Sequence, residues 1–224
     1  MLKTRLWQTC SCSDACGIRG NPVWGSGPRE SRIMIIGEAP GKWEDKYGKP
    51  FVGKSGKELD NYLSRFAHIS RDACYVTNLL KCRPDSRDRD PKPEEIAICT
   101  EAYLVRELTE VAPRFIIAAG KFAASWLFQS PVKMEMVHGI GYRWEGFGIA
   151  ATVIPVYHPS YGLHSTRKMR FIQEDFESVG EIVRGAGDVR EWVKFDPQAT
   201  IVGEYEEEDG IGDLEGENGV PDMG

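Results

Sequence analysis

Nowhere does the chain carry the ~18–20 continuous apolar residues that a membrane span requires, and its opening stretch, MLKTRLWQTCSCSDAC, holds no long apolar segment. No membrane association and no secretory signal are expected, and a cytoplasmic, reducing setting follows. Disulfides are not expected there, although six cysteines are present. Lys and Arg are absent from residues 203–224, which carry nine acids among many glycines. Such a segment cannot offset the entropy of ordering by burying a core, so it is expected to be a disordered, solubilising tail. Competition with nucleic acid for a basic face is the lesser alternative. Without those nine charges the total of −6 becomes about +3 for residues 1–202. Net acidity therefore excludes no nucleic-acid partner.

What is present suits one folded domain over residues 1–202, with an apolar share of 41%. Residues 1–27 are broken up by glycine and proline. Four apolar runs then read as buried strands: 32–37 (RIMIIG), 73–78 (ACYVTN), 114–120 (RFIIAAG) and 151–157 (ATVIPVY). Between and after them, helical spacing appears. Leu59, Tyr62, Leu63 and Phe66 give a helix over 56–66, and Ile96, Tyr103, Leu104 and Leu108 give one over 93–111, with Pro93 suited to its first turn. Residues 121–128 and 169–183 read as two more. Alternation of strand and helix argues for an α/β fold with a parallel sheet. In such sheets the site forms beyond the carboxyl ends of the strands.

Cys74 lies in an apolar strand and reads as a buried small hydrophobe. Cys10, Cys12 and Cys16 crowd the N-terminal segment, while Cys82 follows a strand and Cys99 sits within a helix. Two cysteines from each group could close a four-thiolate site, with Cys12 and Cys16 the favoured N-terminal pair and Cys10 the alternate. Four thiolates suit tetrahedral zinc or a [4Fe–4S] cluster, and spacing does not choose between them.

The loops after the strands hold the unusual residues. The first, GEAPGKWEDKYGKPFVGKSG (37–56), combines five glycines with Glu38 and Glu44. Its GKPFVGKS segment matches the phosphate-loop pattern by letter, but its first glycine stands eleven positions beyond Gly37, the end of the strand that such a loop should follow directly. Asn78 ends the second strand, where an amide can read a base edge or merely cap the strand. His158 follows the fourth strand and precedes Pro159 and Ser160; a neutral imidazole there could donate to an oxygen that gains charge.

With these pieces in place, the chain resembles the iron–sulfur uracil-DNA glycosylases of bacteria and archaea, the family 4 enzymes. The resemblance rests on GEAPG (37–41), ED and GKPFVGKSG (44–56), YVTNLLKCRP (75–84), Cys99 in ICTEAYL, and HPS (158–160), in the family's order across residues 10–183. It implies a three-layer α/β/α sandwich around a four-stranded parallel sheet. It also implies a monomeric DNA-repair hydrolase that releases uracil from single- or double-stranded DNA and leaves an abasic site. On this resemblance Glu38 and the GEAPG loop, with Gly37 and Ala39, would hold the attacking water and approach the base. Phe51 would stack on the flipped base, Asn78 would read its N3 and O4 edge, and Glu44 would crowd the 5-position against thymine. His158 would donate to O2. Cys82, Cys99 and two N-terminal cysteines would hold a structural [4Fe–4S] cluster. Ser160, Arg167, Lys168 and Arg170 are candidates for DNA contacts, and Leu163 for a wedge in the vacated stack, with ordinary loop packing as its alternative.

The match departs from the family pattern in places. The N-terminal cysteines lack the usual CxxC spacing, the stretch between Cys82 and Cys99 is about one residue longer, and Gly162, Leu163 and His164 stand where Leu-Leu-Arg is usual. Residues 83–90 contain no His, so the covalent capture shown by some relatives is not expected. No lysine is evident as a Schiff-base nucleophile. A relative with altered base preference, a non-catalytic uracil-DNA-binding module and a nucleotide-binding domain are the competing readings.

Overall fold

A computed structural model describes residues 22–84, 89–163, 165–191 and 195–196. Cys10, Cys12, Cys16 and the acidic tail lie outside the described residues. The four apolar runs are strands: β1 (Ile33–Gly37), β2 (Cys74–Asn78), β3 (Phe115–Ala119) and the longer Ile149–Val156. Every residue of β1 and β2 is buried, as expected of parallel strands covered on both faces. A strand not read in the sequence, β4 (Gly141–Gly146), pairs antiparallel with Ile149–Val156, which is thus β5. The connecting residues Phe147 and Gly148 have φ of 52° and 77°, the backbone hand that matches the twist of a tight hairpin.

The sheet order is β2-β1-β3-β5-β4-β6, where β6 is Val189–Arg190. The four parallel strands expected are present side by side, and the sheet extends by two further strands. The chain runs from β1 outward to β2, then returns to place β3 on the other side of β1. That reversal makes the β1–β3 boundary the topological switch point, where loops leave in opposite directions and open a crevice.

Helices flank the sheet. They are α1 (Lys42–Tyr47), α2 (Lys54–Tyr62), α3 (Pro93–Cys99), α4 (Val105–Val111), α5 (Lys121–Phe128), α6 (Met134–Val137) and α7 (Thr166–Val183). A wide π turn, Leu63–Ala67, extends α2, and another, Thr100–Leu104, joins α3 to α4. The helix read over 93–111 is thus continuous but with a bulged middle, which periodicity does not reveal. α5 packs on β3, β5 and β1, and α7 packs on β5 and α2. No helix among the described residues is long and apolar enough to cross a membrane.

Candidate active site

Four strand ends meet in one cleft of about 570 Å³. Glu38, Ala39 and Gly41 enter it after β1, Arg83 and Asp90 after β2, Lys121 after β3, and Tyr157 and His158 after β5. This is the crevice that the strand order requires at the switch point.

His158 stands where a short 3₁₀ turn, Pro159–Gly162, begins. Its Nδ1 lies 2.7 Å from Ser160 Oγ and accepts the Ser160 backbone N–H at 3.3 Å. A backbone N–H can only donate, so Nδ1 of the neutral ring is the acceptor and the proton sits on Nε2. Burial pushes the imidazole down to about 4, against a smaller opposing effect of Glu44. His158 is therefore a neutral donor at ordinary pH. Gly120, with φ of 93°, gives the ring its room: a Cβ there would come within 3.3 Å of His158 Cβ.

Glu38 behaves oppositely. Burial first, and the Asp90 carboxylate second, raise its carboxyl to about 7, with Lys121 pulling the other way. Lys121 Nζ lies 3.7 Å from Asp90 Oδ2, so the pair flanks Glu38 with both signs of charge. Neither Asp90 nor Lys121 is among the residues singled out from the sequence: Asp90 lines the cleft, and so does Lys121. The signal for Lys121 was available, since it follows the third strand and the strand-end rule applies to all of them.

Gly37, Glu44, Phe51 and Asn78 are not among the residues that line the cleft; they are gathered beside one another, with Phe51 and Asn78 converging on Gly37. A Cβ on Gly37 would lie 2.4 Å from Asn78 Oδ1 and 2.6 Å from Phe51 Cζ. Phe51 is buried, has φ of 53°, and its ring centroid is 5.9 Å from that of His158. Glu44, on α1, is also buried; its Oε1 accepts the backbone N–H groups of Val52 at 2.9 Å and Gly53 at 2.7 Å. That clamp fixes the backbone beside Phe51. It also decides against a phosphate loop over residues 48–55: α1 rather than a strand precedes it, and the Val52 and Gly53 amides are already taken by a carboxylate.

Asn78 is held from below by a buried charged network. Lys81 Nζ donates to the Asn78 carbonyl at 2.7 Å, to Thr77 Oγ1 at 2.6 Å and to Glu107 Oε2 at 2.7 Å. Burial alone would raise the Glu107 carboxyl, but Lys81, Thr77 and the Gly25 N–H hold it below its ordinary value. Removing one partner would leave an uncompensated buried charge.

Of the remaining candidates, Ser160 lines the cleft and the others lie outside its lining. Ser160 is exposed and bonded to His158. Leu163 is half-buried at the end of the 3₁₀ turn. Arg167, Lys168 and Arg170 lie in the first turns of α7; Lys168 Nζ stands 4.5 Å over the Tyr161 ring, and Arg170 pairs with Glu174 at 2.9 Å. Cys99 is buried and its sulfur accepts the Lys81 backbone N–H at 3.2 Å; Cys82 is partly exposed. No group of three or more potential metal ligands occurs among the described residues. Cys74 is buried with its thiol pushed up to about 11 by burial, as befits a packing residue.

Residues 24–179 match the family model for the uracil DNA glycosylase superfamily. The chain belongs to this superfamily. Similar members include the type-4 uracil-DNA glycosylase of Saccharolobus solfataricus, 39% identical over 183 residues and covering 80% of each chain. That of Archaeoglobus fulgidus is 37% identical over 178 residues, covering 78% of this chain and 88% of the relative. That of Sulfurisphaera tokodaii is 34% identical over 184 residues, covering 80% and 79%. The superfamily match spans all the strand-end loops that build the cleft, from Gly37 to Ser160.

Proposed function

We propose that this chain is a monofunctional uracil-DNA glycosylase of base excision repair, hydrolysing the bond between uracil and deoxyribose and leaving an abasic site. One observation carries the reading: a single cleft holds a carboxyl raised to about 7, Glu38, and an imidazole lowered to about 4, His158. Environments that push two titratable groups apart assign their roles. Glu38 in its ionised form orients the water and takes its proton. His158, with Nδ1 occupied by Ser160, donates Nε2–H to uracil O2 as charge collects there. That hydrogen bond is stronger in the transition state than in the ground state, so it raises turnover rather than mere affinity.

The base must leave the stack to reach these groups, at a cost of a few kcal/mol. Phe51 stacks on the extruded ring, Asn78 pairs with its N3 and O4 edge, and Gly37 and Ala39 let the backbone approach. Glu44 disfavours a 5-methyl group; locked onto Val52 and Gly53, its carboxylate cannot swing aside to admit one. Ser160, Arg167, Lys168 and Arg170 meet the DNA backbone, and Leu163 fills the vacated stack. Lys121 is paired with Asp90 rather than offered as a free amine, which supports hydrolysis without strand cleavage.

The chemistry of the donors fits a [4Fe–4S] cluster. Cys82 and Cys99 come from the two segments that flank residues 83–98, and an N–H aimed at Cys99 sulfur favours its thiolate. Two of Cys10, Cys12 and Cys16 would complete the set. When bound, the cluster would tie the N-terminal segment to the domain and would supply no catalytic step.

The test is incubation with an oligonucleotide containing one uracil, beside a thymine control, with and without later alkali. Breakage only of the uracil strand, and only after alkali, is expected. Breakage before alkali, or trapping of protein on DNA by borohydride, would mean that Lys121 acts as a nucleophile. An intact uracil strand would overturn the reading.

A further inference from the structure

Helix α1 is anchored by one face and exposed on the other. Glu44 points inward to the Val52 and Gly53 amides, while Trp43 and Tyr47 remain 44% and 60% exposed. Their four-residue spacing puts both rings on one side of the helix. The rings stack with centroids 6.0 Å apart and planes 12° from parallel, and Lys46 Nζ stands 5.3 Å and 5.5 Å from the two centroids. Leaving two large aromatic rings in water forfeits burial that the fold uses elsewhere, for instance at Trp144.

The surroundings carry more positive than negative charge. Lys42, Lys49, Lys54 and Lys57 are exposed along the same loop and the start of α2, against half-buried Asp45 and Glu58, and Glu44 is buried. The loop is also continuous with the cleft, since Gly41 lines it and α1 begins at the next residue. Aromatic planes beside lysines, leading out of a cleft that takes an extruded base, match the chemistry of unpaired nucleic acid. Bases stack on the rings and phosphates meet the ammonium groups. A duplex keeps its base faces stacked inside and would leave the rings without partners.

We propose that Trp43, Tyr47 and Lys46 form a platform for the unpaired bases that flank the target nucleotide, so that the protein binds single-stranded DNA more firmly than its cleft alone would allow. This deepens the glycosylase reading and rests on it for the position of the strand. The test uses the full chain and uracil-free oligonucleotides, single-stranded and duplex, so that binding is read apart from catalysis. The W43A/Y47A variant should lose about 10-fold or more in affinity for single strands, with the duplex changed about 2-fold at most. The W43F/Y47F variant, which keeps two flat rings, should stay within about 3-fold of the parent. K46M should flatten the salt dependence of single-strand binding. Equal single-strand affinity of W43A/Y47A and the parent, with helical content unchanged, would overturn the platform and leave the patch to a protein partner. Failure of the parent to release uracil would instead strike the glycosylase reading, and the binding comparison would still stand by itself.

Discussion

Gly37 and Asn78 face each other as register partners at the carboxyl ends of β1 and β2, and the missing side chain of one is the space used by the other. The Asn78 amide and the Phe51 ring both sit where a Cβ of Gly37 would be. Gly37 is not at positive φ, so replacement is penalised by the crowding alone. Gly37→Ala should displace the amide and the ring, lowering uracil release by roughly 100-fold, as expected for a small misplacement of a binding group. Circular dichroism should report an intact fold. Activity within a few-fold of the parent would contradict the proposed roles of Phe51 and Asn78.

The pH profile follows from the two cleft groups. Glu38 must ionise to accept a proton, so the rate should rise with pH through about 7. His158 is already neutral above about 4 and adds no further limb in that range. Asp90→Asn removes a charge that raises the Glu38 carboxyl, so the rising limb should move to lower pH; Lys121→Met should move it higher. Single-turnover rates across pH check both directions.

Asp175 ties the His158 loop to α7. One oxygen is 2.5 Å from His138 Nδ1, and the other accepts the Tyr157 backbone N–H at 2.8 Å, directly before His158. The Asp175 hydrogen bond raises His138 above its ordinary 6.5. A raised histidine contributes stability that is fully present below 6.5 and is lost as pH rises through the folded value. Denaturant unfolding should show the parent losing more stability than His138→Asn between about pH 6 and pH 9. Asp175→Asn should lower turnover more than substrate affinity, because it loosens the backbone carrying His158.

Cluster assembly gives a separate prediction. Cys82→Ala and Cys99→Ala should each abolish bound iron and the visible absorbance of the purified protein, whereas Cys74→Ala should leave both unchanged. Loss of iron should lower the melting temperature and leave the cleft chemistry intact in whatever fraction remains folded.

Much of this arrangement was legible in the sequence because buried parallel strands are nearly pure apolar runs, and the rule that sites follow strand ends then selects Gly37–Ala39, Asn78 and His158. The β4 hairpin was not legible: Tyr142 and Trp144 alternate with Arg143 and Glu145 over a stretch too short and too polar to stand out. The two π turns carry no periodic signature. Glu44 shows why residue type is insufficient, since a carboxylate in a glycine-rich loop looks available until its Val52 and Gly53 partners are seen. Asp90 reaches Glu38 only through the folding of the segment after Cys82, a long-range fact that local patterns do not encode.

The most direct test is single-turnover excision from a uracil oligonucleotide by the iron-loaded parent, His158→Ala and Glu38→Gln proteins. Each substitution should slow excision by at least about 100-fold while the protein still binds the DNA. Parent-like excision by both variants would contradict a cleft chemistry built on His158 and Glu38.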